Sequence, residues 1–124
     1  FSSVINMPSS DFQKHIRYLS SLSDRLEIKT VGNELIFSLA GPFAQVQIRR
    51  SETDGHLEYI EKQDSSKIIQ GVFPLKYLTY FIKCTNLCSS IELMLENDLP
   101  LVVKYNVASL GEIKLCLAPL PSEA

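Results

Sequence analysis

SKIIQGVFPLKYLTYFIKCT (66–85) is the stretch that decides the fold. A short run rich in Ile, Val and Phe (66–73) reads as a strand. Pro74 follows, and a proline at that place suits a helix start. LKYLTYFIKCT (75–85) then carries Leu75, Leu78 and Ile82 at helical spacing. Downstream lie SSIELMLE (89–96), a turn at Asn97-Asp98, LPLVVKYNVA (99–108), a turn at Leu110-Gly111, and EIKLCLAP (112–119). Both flanking runs of the Asn97-Asp98 turn read as strands.

The same order precedes it. FSSVINM (1–7) reads as a strand, and Pro8 and Ser9-Ser10-Asp11 open a helix expected to run to about Ser23. Ser10 with Gln13 fits a capping box. RLEIKTV (25–31), a turn at Gly32-Asn33, ELIFSLA (34–40), a break at Gly41-Pro42 and FAQVQIRR (43–50) follow. Residues 51–65 are polar and read as a surface connection, with room for a short strand at 57–62. The chain is thus strand, helix, strand, strand, strand, twice over. Two βαβββ units make an α+β domain: antiparallel sheets with two helices segregated to one face. The expected layout is one domain over residues 1–124, with pseudo-repeats at about 1–50 and 66–119.

Composition agrees. The 124 residues are 45% hydrophobic and 21% charged, with a net charge of −2. About two-thirds of the unfolded surface is buried at this size, enough for a core without staples. A disordered tail, a collagen-like rod and a disulfide scaffold are excluded. A uniformly basic nucleic-acid binder is not expected. There is no run of 18 apolar residues, so no membrane-spanning helix and no membrane partner is expected. The chain begins at Phe1, without a signal-peptide pattern, and reads as part of a longer protein.

Chemistry-bearing residues are sparse. Cys84 and Cys88 are spaced C-x3-C, Cys116 is remote, and His15 and His56 are the only histidines. Zinc sites usually draw on two tight ligand pairs, so no metal and no cofactor is expected. Neither His is placed beside a Cys as a catalytic dyad requires. No phosphate loop, HExxH or GxSxG motif occurs. No catalytic residue is expected, and the chain reads as a non-enzyme.

Charge is distributed unevenly. On the first helix Phe12, Ile16 and Leu19 share one face, with Lys14, Arg17 and Ser21 opposite. On the second, Lys76 and Lys83 lie away from Leu75, Leu78 and Ile82. Residues 8–22 and 74–85 carry these four bases against Asp11 alone, a surplus of +3; the rest holds 8 bases and 13 acids. Cations on the wet face of an amphipathic helix are ordinary. A surface of this kind touches phosphates without sequence preference. No aromatic–basic interleaving marks a single-strand groove, and no helix displays side chains for reading base edges.

Met7-Pro8-Ser9 with Phe12 and Leu19-Ser20 resembles the opening of the second domain of the eukaryotic sliding clamps, the proliferating cell nuclear antigen family. So do Phe73-x-Leu75-Lys76-Tyr77-Leu78-x-x-Phe81-x-Lys83 and Asp98-Leu99-Pro100-Leu101-Val102-Val103-x-Tyr105, with Gly111 and Leu117-Ala118-Pro119 after them. The resemblance runs from Phe1 to about Pro119. It implies a clamp fold in a DNA polymerase processivity factor, whose subunits close a ring, a homotrimer in the full-length protein, around duplex DNA in the nucleus. Lys14, Arg17, Lys76, Lys83 and Tyr77 would face the DNA. The strand 43–50, through Phe43, Val46 and Ile48, would meet the next subunit, with Ile16 and Leu19 near the junction. Phe1, Pro100, Cys116, Leu117, Ala118 and Pro119 match the apolar pocket that takes short peptide motifs of polymerases, ligases, nucleases and the clamp loader. Ser21 stands where the family tends to have His, and Cys116 where it often has an aromatic residue. Leu120-Pro121 departs from its charged continuation, and Glu123 is all that remains of its acidic tail. Alternatives are a subunit of a heterotrimeric checkpoint clamp, a specialised second clamp, an interaction module that does not encircle DNA, and a small enzyme using Cys88 or Cys116 as nucleophile.

Overall fold

In a computed structural model the described residues are 3–40, 45–55, 57–62, 67–108 and 111–121. Alternating apolar and polar residues set up most of the strands. β2 (Arg25–Val31) alternates exposed or half-buried positions with buried Leu26, Ile28 and Thr30, and β7 (Ser90–Leu95) does the same with Ile91, Leu93 and Leu95. One face of each strand is therefore committed to a core. The remaining strands are β1 (Ser3–Pro8), β3 (Glu34–Ala40), β4 (Gln45–Ser51), β5 (Glu58–Lys62), β6 (Ile69–Pro74), β8 (Leu101–Val107) and β9 (Gly111–Leu117).

Among the described residues the strands form two antiparallel sheets, in the orders β5-β1-β7-β8-β9 and β4-β3-β2-β6. The two βαβββ units exchange their leading strands. β1 of the first unit pairs with β7 of the second, and β6 of the second pairs with β2 of the first. The polar segment 51–65 contributes more than a connection: its β5 pairs with β1 and forms one sheet edge.

Helix α1 (Ser9–Ser20) follows β1, and α2 (Leu75–Phe81) follows β6. The helices pack against each other, so they share one side of the fold. Phe12, Ile16 and Leu19 are fully buried, as are Leu78 and, within 1%, Leu75. They meet Ile5, Met7, Ile28, Phe37 and Phe73 from both sheets in one cluster. The Phe12 and Phe37 rings lie 6.5 Å apart, centre to centre, within the range of favourable aromatic pairs.

The helix ends differ from expectation. No side-chain cap closes the start of α1: Pro8 is the flanking residue, and the Ser10–Gln13 box does not form. The opening groups are instead satisfied across the fold. Ser9 N–H donates to the Ser89 carbonyl (3.0 Å) and Ser9 Oγ to the Cys88 carbonyl (2.7 Å). The far end closes at Ser20 rather than Ser23. Ser21 Oγ donates to the Tyr18 carbonyl, and the amides of Leu22 and Ser23 both turn back to Leu19. Serine hydroxyls competing for helix carbonyls favour such an early stop. α2 likewise ends at Phe81 and tightens into a 3-10 segment over Ile82–Leu87. There Thr85 Oγ1 donates to the Ile82 carbonyl (2.6 Å).

Candidate nucleic-acid interface

Helical periodicity turns Lys14, Arg17 and Ser21 outward on α1, and Lys76, Tyr77 and Tyr80 outward on α2, with Lys83 one turn on. All are exposed, because the opposite faces are used up by the core. The packing of α1 on α2 gathers the four cations on one side of the molecule. Among the described residues no ion pair engages any of them.

The sheets treat their cations differently. Lys104 lies 3.1 Å from Glu112 and 3.6 Å from Glu92, and Lys114 lies 3.4 Å from Glu112. Arg49 meets Glu34 at 3.1 Å, and Lys67 meets Glu96 at 3.6 Å. Cross-strand register puts each of Glu92, Lys104 and Lys114 opposite its neighbour. The hydrogen bond from Lys104 holds the Glu112 carboxyl below its ordinary pKa, and the same bond raises that of Lys104. These pairs lie at the solvated surface, exposed or half-buried, and add little stability. Their consequence is electrostatic: Lys104, Lys114, Arg49 and Lys67 are neutralised locally, whereas the four helix-side cations, like Lys29 and Arg50 on the strands, have no ion pair among the described residues.

The helix also carries aromatic surface, at Tyr80, which helical spacing sets beside Lys76 and Lys83, and at Tyr77. Tyr77 and Tyr80 are each 49% exposed, with ring centres 6.2 Å apart in an edge-to-face arrangement. Lys83 Nζ stands 5.4 Å from the centre of the Tyr80 ring, within cation–π reach. Aromatic and basic residues are therefore interleaved in space, contrary to the linear reading.

The expected subunit-contact residues divide. β4 is an edge strand, as that reading requires. Val46 and Ile48 are half-buried and pack against the core. Ile16 and Leu19 are fully buried and hold α1 onto the sheets. The exposed apolar residues at that end are Tyr18 (54%) and Leu22 (52%). The early end of α1 leaves Leu22 outside the helix and off its buried face. Phe43 lies outside the described residues.

The expected pocket residues are placed as follows. An open groove of about 810 Å³ runs beside β6, and Pro119 is the one expected pocket residue that lines it. Leu117 is buried by the inward alternation of β9, while Cys116 on the opposite face, Ala118 and Pro100 are exposed. Phe1 lies outside the described residues. The groove is walled by Ile68, Gln70, Val72, Asn97, Asp98 and Leu120. Asn97 builds it. Its Oδ1 accepts from Gln70 N–H (2.9 Å), and its Nδ2 donates to the Ile68 carbonyl (3.2 Å). Leu120 N–H donates to the Val72 carbonyl (2.7 Å). A side-chain amide and the chain's last turn thus occupy backbone groups along an edge strand. Asp98 sits in the left-handed region (φ 64°), as the tight turn requires. The turn was legible; the reach of Asn97 was not.

The thiols and histidine gather into no catalytic group. Cys84 and Cys88 are half-buried, Cys88 Sγ donates to the Ser90 carbonyl (3.1 Å), and Cys116 is exposed. His15 is buried with its ring 5.7 Å from that of Phe37. Among the described residues no three potential ligands cluster as a metal site. His56 lies outside them.

A family model described as the proliferating cell nuclear antigen C-terminal domain matches residues 1–120. The chain belongs to that family. The two-sheet, two-helix arrangement is its clamp fold. A relative from Acanthamoeba polyphaga mimivirus, described as a probable DNA polymerase sliding clamp, is 35% identical over 120 residues. That match covers 97% of this chain and 25% of the relative, so the chain spans about a quarter of that protein's length.

Proposed function

We propose that the chain is the carboxy-terminal domain of a DNA polymerase processivity factor, a clamp subunit whose ring encircles duplex DNA. The observation that carries this reading is the contrast in ion pairing. Among the described residues Lys14, Arg17, Lys76 and Lys83 lie without ion pairs on one helical side, while Lys104, Lys114 and Arg49 on the strands and Lys67 before β6 are tied to acids; Lys29 and Arg50, also without one, stand apart from each other on different strands. Unpaired cations are available to phosphates, and they bind without sequence information. A ring holds DNA by topology, so a few weak contacts suffice and leave it free to slide. Tyr77 lies among them. The reading is non-enzymatic: residues 1–124 form one domain that tethers replication and repair enzymes.

Ring closure proceeds from the β4 edge, whose outer backbone groups are free to pair with a neighbouring subunit. A homotrimer is the state proposed for the full-length protein, acting in the nucleus. Partner enzymes and the clamp loader dock through short peptides on the groove bordered by Pro119. The test is a double charge reversal, Lys76→Glu with Lys83→Glu, in the full-length gene product. Polymerase processivity and retention on DNA should fall while the fold persists. Unchanged processivity overturns the assignment of the helical side to DNA.

A further inference from the structure

Half-exposed tyrosine rings in contact with each other are large apolar surfaces left in water. α2 presents two, Tyr77 and Tyr80, three residues apart and therefore on neighbouring positions of one flank. Lys76 and Lys83 line the adjoining flank, and α2 carries no acid. The Lys83 ammonium stands over the Tyr80 ring, 5.4 Å from its centre, so a cation is held directly beside the aromatic pair. Thr79, between them, turns its hydroxyl back to the Lys76 carbonyl, and each ring keeps about half of its surface exposed.

Duplex DNA uses only part of this equipment. Its phosphates meet the lysines, but its bases are stacked on one another and offer no free face. A single strand offers both groups. Its bases stack on aromatic rings, its phosphates pair with adjacent cations, and the combination tolerates any sequence. We propose that Tyr77 and Tyr80, with Lys76 and Lys83, form a stacking site for unpaired bases, giving this domain an affinity for single-stranded DNA beyond its hold on duplex. The inference rests on the proposed DNA-facing role of α2. Charge complementarity selects the occupant: an apolar peptide would leave four unpaired cations beside it without partners.

The test is photocrosslinking of the full-length gene product to a single-stranded oligonucleotide bearing iododeoxyuridine, with the annealed duplex as comparison. This base couples to an aromatic ring stacked on it. Trypsin cutting after Lys76 and Lys83 releases Tyr77–Lys83, which contains both rings. The expected adduct maps to that peptide and forms far more readily with the single strand. Tyr80→Leu should lower single-strand binding about tenfold, and more than it lowers duplex binding, whereas Tyr80→Phe should preserve it. Adducts that map elsewhere, or equal yields from both DNA forms, overturn the proposal. The lysine reversals separate this failure from failure of the underlying reading. If they weaken duplex retention while the adduct is absent, the stacking site falls and the DNA-facing assignment stands. If retention is untouched, the assignment itself falls, and the stacking site with it.

Discussion

The backbone N–H of Leu75 donates to the carbonyl of Asp24 across 2.9 Å, joining the first residue of α2 to the residue before β2. Ser9 and Ser89 make the equivalent contact at 3.0 Å, joining the start of α1 to the residue before β7. Each helix begins after a proline, and each is anchored on the strand entry of the opposite unit. The repeat is therefore a mutual clasp. Each unit supplies the other with a strand and satisfies an amide that a helix N-terminus leaves open.

Ser9 strengthens one half of that clasp with its side chain. Ser9→Ala removes the 2.7 Å bond to the Cys88 carbonyl at a site only 2% exposed. A loss of about 1 kcal/mol is expected. Denaturant titration, read as a shift in midpoint at constant slope, checks it.

Gly71 tests the packing of β6. A Cβ added there would lie 2.8 Å from Phe73 Cζ and 2.9 Å from Cε2, and the Phe73 ring is fully buried. The ring must move for alanine to fit. Gly71→Ala should destabilise by about 1–3 kcal/mol, since overpacked cores cost that much. Thermal unfolding beside wild type would show it, and an unchanged midpoint would mean the ring relocates freely.

Alkaline stability should depend on Tyr105. Burial pushes its hydroxyl up to about 12 from 10.0, and the hydroxyl donates to the Phe81 carbonyl at 3.1 Å. A raised pKa in the folded state stabilises fully below pH 10. That contribution is lost as pH rises from 10 towards 12, because the unfolded chain releases its proton first. Burial raises Tyr59 to about 12 as well, so part of the effect survives in a single variant. Tyr105→Phe should make stability fall less steeply across that window, measured by unfolding at a series of alkaline pH values.

The groove beside β6 makes a prediction about partners. A peptide with a glutamine anchor and two aromatic side chains should compete with clamp-binding enzymes. Pro119→Glu, which places a charge at the groove wall, should weaken the peptide at least several-fold by fluorescence anisotropy. Equal affinity for the variant would move the docking site elsewhere.

Periodicity and punctuation made the elements legible. Pro8 and Pro74 marked both helix starts, and the spacing of Phe12, Ile16 and Leu19 marked the buried face. Alternation in 25–31 and 89–96 marked strands. What stayed hidden depended on contacts distant in sequence. Alternation assigns a residue to a face but names no partner strand, so the exchange of β1 and β6 was invisible. The short strand read at 57–62 forms as β5, an edge strand that tolerates polar residues, but its pairing with β1 was not legible. The capping box failed because the helix begins at Ser9, which puts Ser10 inside the first turn rather than at the cap. Helical spacing already set Tyr80 beside Lys76 and Lys83; the contact between the Tyr77 and Tyr80 rings was not legible. The family resemblance pointed to Ile16 and Leu19 as near a junction, and their own apolar spacing committed them to the core.

The claim that this domain belongs to a closed ring is tested most directly by the solution mass of the full-length gene product, using light scattering after gel filtration. The account predicts three times the subunit mass. A monomer at working concentration would contradict self-closure through the β4 edge.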